Sequence, residues 1–124
     1  MSGGQHHFEG AEMIEKTVQD YLNDTLEVSA YLERPADKPE RYVLVCKTGG
    51  SERNHISYGT VALQSYAPSK YEAAVLNEQV KAAMGGIVAL PQVSRAELNR
   101  DYDYTDTTRK EYRYQAVYDL VVME

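Results

Sequence analysis

Cysteine and long apolar runs are both scarce in this sequence. Among its 124 residues only Cys46 is a cysteine, so no disulfide can form within the chain, and we expect no catalytic or metal-binding thiol. Cys46 follows the apolar run Tyr42–Val45, which predicts a buried, inert thiol. No apolar run approaches the ~20 residues that cross a bilayer, and the N-terminus lacks the pattern of a secretory signal. We therefore expect a soluble protein that contacts no membrane.

Positive charge is also in short supply. Thirteen Lys and Arg residues stand against nineteen Asp and Glu residues, which gives a net charge of −6. Because Lys and Arg must displace the counterions that surround phosphates, this balance disfavours nucleic acid as a direct ligand. The sequence predicts no specific nucleic-acid binding.

Tryptophan is absent and phenylalanine occurs once, whereas tyrosine occurs eleven times. Several tyrosines lie near the C-terminus: Tyr102, Tyr104, Tyr112, Tyr114 and Tyr118. Tyrosine suits protein interfaces, which are dry on one side and wet on the other, but it also favours β-strands. The composition supports both interpretations equally.

The length and the overall composition indicate one globular domain. Hydrophobic residues make up 43% of the chain and charged residues 26%, which is ordinary for a folded protein. Residues 1–12 are small, polar and without periodicity, and they predict a flexible leader, either native or added in cloning. His6 and His7 in this leader make a poor metal site. The domain is expected to span residues 13–124.

Two helices are predicted from apolar spacing. The first begins near Met13 and places Ile14, Val18, Tyr21, Leu22 and Thr25 on one side. The second follows Ser69, a predicted N-cap whose partner in a capping box is Glu72, and it ends at Gly85-Gly86. Its apolar stripe consists of Ala73, Leu76, Val80, Ala83, Met84 and Ile87.

The strands are predicted from alternation and from β-branched runs. They cover residues 26–32, 42–47, 56–67, 92–102 and 112–123. Pro35 and Pro39 impose an extended loop after the first strand. The turn residues Thr48–Ser51 and a polar loop to His55 are expected to join the second strand to the third, and an acidic turn at residues 103–109 joins the last two.

This order of elements predicts an α+β fold. Strands joined by short loops are antiparallel, and two one-sided helices need an apolar surface to cover. We expect an antiparallel or mixed sheet with both helices packed on one face, which is a two-layer sandwich. The other face is left for solvent or another subunit.

Catalytic, cofactor and metal sites are not predicted. His55 is the only histidine outside the leader, and nothing in the sequence places Ser57 or Cys46 beside it as a nucleophile. The acidic run Asp101–Asp106 resembles the start of a calcium loop, but it lacks the bending glycine and a glutamate at the twelfth position. Gly49-Gly50 lacks the Gly-Lys-Ser/Thr ending of a phosphate loop. We expect a protein that is not an enzyme.

The order and spacing of several segments are similar to a known family. These segments are Met13-Ile14-Glu15 with its helix, Tyr31 to Arg34-Pro35, Tyr42 to Val45 with Lys47-Thr48-Gly49-Gly50, Val61 to Ala67, the helix from Ser69 to Met84, and Arg113-Tyr114-Gln115. Together they resemble the tail-terminator proteins of tailed phages and prophages, also called minor tail or tail-completion proteins. The similarity extends over about residues 13–123.

The resemblance implies a structural subunit that assembles with itself into a ring, expected to be a hexamer, on the head-proximal end of the tail tube. The ring ends polymerisation of the tail tube protein and presents a surface to the neck or head-completion protein. DNA passes through the ring, and the acidic charge suits a lumen that must not hold phosphates. The protein is then part of the virion tail and is assembled in the bacterial cytoplasm.

A closed ring needs heterologous contacts, in which one patch meets a different patch on the next copy. We expect these contacts in the loop from Gly49 to His55 and in the turn from Tyr102 to Arg109, which are long and polar. The candidate residues for an interface with a neighbouring subunit or with another partner are Gly49, Gly50, Arg53, His55, Tyr102, Tyr104, Asp106 and Arg109.

Two alternatives stay open at the level of sequence. Another head–tail joining or neck component has the same size, elements and acidity. A small ligand-binding or hydrolytic α+β domain could use the cleft between helices and sheet, with His55 and the carboxylates of Asp101–Asp106 as its polar groups.

Overall fold

A computed structural model describes residues 14–123 of the chain. The predicted leader, including His6 and His7, lies outside the described residues. The helices are α1 (Ile14–Thr25) and α2 (Lys70–Met84), followed by a short 3₁₀ helix (Ile87–Ala89). The strands are β1 (Ala30–Tyr31), β2 (Tyr42–Arg53), β3 (Ile56–Ala67), β4 (Val93–Asp103) and β5 (Tyr112–Met123).

The strands form one mixed sheet in the order β1-β2-β3-β5-β4. β1 runs parallel to β2, and the other neighbouring strands are antiparallel. Apolar residues of both helices share one core with alternate residues of the central strands, such as Val43, Val45, Val61 and Leu63. Both helices therefore pack against the same face of the sheet, and the predicted two-layer α+β fold is confirmed.

The second face of the sheet, here called the open face, carries neither α1 nor α2. Tyr42, Leu44 and Tyr66 form a small buried cluster there, with Tyr31 and Cys46 packed against it. The rings of Tyr42 and Tyr66 are stacked 4.6 Å apart between centroids. Cys46 is half-buried rather than buried, so the prediction for this thiol was only partly right, and burial raises its pKa.

Helix α2 begins and ends where the sequence predicts. The Ser69 hydroxyl accepts a hydrogen bond from the Glu72 amide at 3.1 Å and donates one to the Glu72 carboxylate. The predicted apolar stripe is buried throughout. Beyond the helix, Gly86 allows a close approach: a Cβ at this position would lie 2.9 Å from the Tyr21 hydroxyl, which itself donates to the Ala83 carbonyl. Neither Gly85 nor Gly86 has positive φ, so the helix ends without a residue in the left-handed backbone conformation.

The strand predicted at residues 26–32 is much shorter than expected. Only Ala30 and Tyr31 pair with β2. The Asn23 side chain accepts from the Ala30 amide at 2.7 Å and donates to its carbonyl, and Gln19 donates to the same carbonyl at 3.0 Å. These side chains of α1 thus occupy the backbone amide and carbonyl of Ala30 on the outer side of β1. The alternating pattern of residues 26–32 therefore reflects packing beside a helix and not a longer β-strand.

Ser69→Ala should lower the free energy of unfolding by about 1 kcal/mol, because the Glu72 amide loses its capping acceptor. Ser69→Asp should retain most of the stability, since aspartate caps equally well. Urea unfolding followed by circular dichroism measures both. Equal stability of the native protein and Ser69→Ala would show that the cap contributes nothing.

Candidate functional site: two contact surfaces at opposite ends of the sheet

The first predicted contact region is the end of the β2–β3 hairpin, here called the hairpin tip (Gly49–His55). The sequence predicts a polar loop there, and this prediction was wrong. β2 continues to Arg53 and β3 begins at Ile56, so only Asn54 and His55 form the turn. Both have positive φ, 54° and 65°, as the tightest hairpin turns require. The tip is thus the tightly closed end of two sheet strands, and the residues Gly49–His55 are all exposed.

Gly49 and Gly50 lie inside a strand rather than in a turn. The ladder between β2 and β3 shifts register between Lys47 and Gly49, which leaves Thr48 as a bulge. A Cβ on Gly50 would lie 2.8 Å from the Tyr58 carbonyl oxygen, so the fold itself requires glycine at this position. At Gly49 none of the described residues has an atom within 4 Å of the Cβ position.

The second region is the connection between β4 and β5, here called the acidic turn (Tyr102–Arg109). The predicted turn is confirmed, although Tyr102 still belongs to β4. Asp106 and Glu111 form an isolated antiparallel bridge, and the Asp106 carboxylate accepts from the amides of Thr108 and Arg109 at 3.1 Å. The side-chain hydroxyl of Thr105 holds the pKa of Asp103 below its usual range. These carboxylates therefore shape the turn.

A network of cations and aromatic rings supports the acidic turn from the open face. The Arg113 guanidinium lies 4.4 Å from the ring centroid of Tyr104 and donates to the Tyr104 carbonyl at 2.7 Å. Arg113 and Arg34 both donate to the Tyr66 hydroxyl at 3.2 Å. Tyr104 is 41% exposed, so this network presents an aromatic ring at the surface while fixing its position.

Glu111 ties the loop after β1 to this network. Its carboxylate faces Arg34 through two oxygen–nitrogen contacts of 3.1 and 3.3 Å, and Lys38 lies 3.5 Å away. The hydrogen bonds from Arg34 hold the pKa of Glu111 below its usual value. The sequence does not predict that Arg34, Tyr66, Glu111 and Arg113 form one group, because these residues lie on separate segments and no local pattern links them.

The two predicted contact regions lie at opposite ends of the sheet. The hairpin tip is level with Met123 of β5, whereas Asp103 at the start of the acidic turn pairs with Tyr114. Because each residue of a β-strand advances the chain by about 3.3 Å, Met123 and Tyr114 of β5 lie about 30 Å apart. His55 is therefore far from the acidic run, and Asp101 is itself bound by Asn77 at 2.6 Å and Lys81 at 2.5 Å. The structure does not bring the polar groups of the hydrolytic alternative together.

A shallow depression lies on the open face near the hairpin tip. Its volume is about 490 Å³, and its lining includes Ser51, Tyr58, Thr60 and Asp119. Thr60 donates to the Asp119 carboxylate at 2.8 Å and Asn99 donates to it at 2.9 Å. These bonds lower the pKa of Asp119. The Asp119 carboxylate therefore already has hydrogen-bond donors on the neighbouring strands β3 and β4.

Comparison with known proteins adds no family. No protein-family model and no curated protein sequence matches the chain. Neither α1 nor α2 is long and apolar enough to cross a bilayer. Within residues 14–123, no three His, Cys, Asp or Glu side chains are grouped as metal ligands are. The resemblance to tail terminators stays a prediction from the sequence.

Glu111→Gln should destabilise the protein by about 1 kcal/mol near neutral pH, because the paired Arg34 contacts lose their charge partner. The folded-state pKa of Glu111 lies below the ordinary 4.5, so its stabilisation is present above that value and is lost as pH falls through the folded pKa. The difference between native protein and variant should therefore disappear at low pH.

Urea unfolding over a pH series measures this effect. Glu40→Gln is the matched control, since the Glu40 carboxylate is 81% exposed and lies 3.7 Å from Arg41. The control should differ little from the native protein at any pH. A Glu111→Gln difference that stays constant from neutral to strongly acidic pH contradicts the assignment.

Proposed function

We propose that the chain is a structural subunit of a phage or prophage tail, which assembles into a ring on the end of the tail tube and ends its polymerisation. The ring also offers a joining surface to the neck or head-completion protein. The proposal follows the tail-terminator resemblance over residues 13–123, and six copies are the expected ring size. The protein acts by blocking and bridging.

The observation that carries the proposal is the separation, by the length of one sheet, of two polar regions: the exposed hairpin tip and the partly exposed acidic turn. A subunit that bridges two partners needs contact surfaces on both sides, held at a fixed distance. The hairpin tip and the acidic turn meet this need, since antiparallel β3 and β5 connect their levels with a continuous ladder. The network of Arg113, Tyr104 and Tyr66 fixes the acidic turn against this ladder.

The same distance counts against a ligand-binding or hydrolytic function. A site that used His55 together with Asp101–Asp106 needs them within hydrogen-bonding reach of one ligand, and they are separated by most of the sheet. The space between the helices and the sheet is filled by the apolar core.

Charge reversal at the two ends tests the proposal. Arg53→Glu and Asp106→Lys should each raise the protein concentration needed to cap tail tubes about tenfold, a change that corresponds to ~1.4 kcal/mol of contact energy. The assay mixes the protein with polymerising tube protein and measures tube length by negative-stain electron microscopy. Native protein should give short tubes that carry a ring at one end.

Lys16→Glu and Asp24→Lys are the matched controls, because they reverse charge on exposed positions of α1. Both should cap tubes like the native protein. Asp106→Asn keeps the acceptor that the turn requires, and it should fold normally while capping less well. Native protein that leaves tube length unchanged would remove the proposed function, and normal capping by both Arg53→Glu and Asp106→Lys would remove these contact residues.

A further inference from the structure

The outer edge of β2 is unpaired along much of its length. β1 pairs with β2 only at Val43 and Leu44, whereas β2 continues to Arg53. No other described strand lies beside this edge, and every residue from Lys47 to Arg53 is exposed. We call residues 46–53 the free edge. Its outward N–H and C=O groups are a template for another strand.

Gly49 lies in the free edge directly after the bulge at Thr48. No described glycine has positive φ, and no atom of residues 14–123 lies within 4 Å of the Cβ position of Gly49. Glycine in a strand weakens it, and it marks a bulge or a place where another backbone approaches closely. The open space beside Gly49 leaves room for the backbone of another strand.

The free edge is complementary to itself. Thr48 is bulged out of the ladder between β2 and β3. The remaining residues of the free edge therefore alternate between the two faces of the sheet: Cys46, Lys47, Gly49, Gly50, Ser51, Glu52 and Arg53. Antiparallel pairing with a second copy about a two-fold axis at Gly50 sets Lys47 opposite Glu52, Gly49 opposite Ser51, and Cys46 opposite Arg53. Residues in each pair lie on the same face, because Lys47 and Glu52 pair with Val61 and Ser57 on the helix side.

We propose that the free edge of β2 pairs antiparallel with the free edge of a second copy, so that two sheets join into one around Gly50. The charges favour this occupant, since the two-fold axis creates the Lys47–Glu52 contact twice and opposite charges across a strand pair stabilise it. Lys47 has no carboxylate within 4.0 Å among residues 14–123. An isologous contact of this kind closes on itself as a dimer.

The position of β1 permits this pairing. β1 lies beside Val43 and Leu44, and in the two-fold register these residues face positions beyond Arg53 of the second copy. Each β1 is therefore placed past the end of the other copy's β2. The opposite edge of the sheet is less suitable, because β4 shifts register twice, between Val93 and Arg95 and between Leu98 and Arg100. Repeated bulges interrupt edge pairing.

A bulge and a lysine also protect an edge against unrelated strands. A second copy removes the obstacle of charge, because its Glu52 meets Lys47. Each Thr48 stays a bulge opposite Ser51 and Glu52 of the other copy. The inference rests on the free edge and not on the proposed function. The ring requires head-to-tail contacts, so the two-fold dimer is a separate form of the chain, and it covers part of the hairpin tip.

Size-exclusion chromatography with light scattering tests the proposal on the full chain over a dilution series. The native protein should have twice the 14.0 kDa mass of the chain. Lys47→Glu and Glu52→Lys should each raise the dimer dissociation constant about tenfold or more, because two attractive contacts become repulsive. The double variant Lys47→Glu/Glu52→Lys should restore the dimer, since it exchanges the two charges.

Arg95→Glu is the matched control, because it reverses an exposed charge on β4, the opposite edge of the sheet. It should dimerise like the native protein, and circular dichroism should show that all variants fold. A native protein that is monomeric throughout, a Lys47→Glu variant that dimerises normally, or a folded double variant that stays monomeric overturns the proposal. Dissociation by Arg95→Glu also overturns it, since pairing then involves β4.

Discussion

The length of the central strands, compared with that of the helices, is the constraint on which the rest of the structure depends. β2, β3 and β5 each have 12 residues and extend about 40 Å. α1 and α2 have 12 and 15 residues and extend only about 18 and 22 Å. The helices therefore cannot cover the whole sheet. The core still reaches Ser57 and Val122 on β3 and β5, which are buried, whereas Glu52 at the same level of β2 is exposed.

This mismatch gives different parts of the sheet different roles. Under the helices, strand residues such as Val61 and Leu63 are fully buried and hold the domain together. In β2, Lys47–Arg53 are exposed, although Lys47 pairs with the buried Val61 and Glu52 with the buried Ser57. Exposed residues of this kind can contact other proteins. At the other end, the Arg113–Tyr66 bond and the Asp106–Glu111 bridge order a long connection that lacks helical cover.

The sequence predicted both helices, the fold class and three of the five strands, β3, β4 and β5, to within a residue, because apolar periodicity and the Ser69 cap are local signals. It ended β2 at Lys47, whereas the strand continues to Arg53. It failed where the deciding interaction was nonlocal or unusual. Gly49-Gly50 resembles a turn, yet the chain reverses at Asn54-His55, where a histidine adopts positive φ. The shortened β1 depends on Asn23 and Gln19 of α1. The arginine network around Tyr66 joins residues far apart in sequence, so no local sequence pattern predicts it.

The central claim is that this domain works by holding partner proteins at its two ends. Cryo-electron microscopy of tail tubes grown in the presence of the protein tests it most directly. The account predicts a ring at one end of each tube, with every hairpin tip on one face of the ring and every acidic turn on the other. Tubes without a terminal ring, or protein bound along the side of the tube, contradict it.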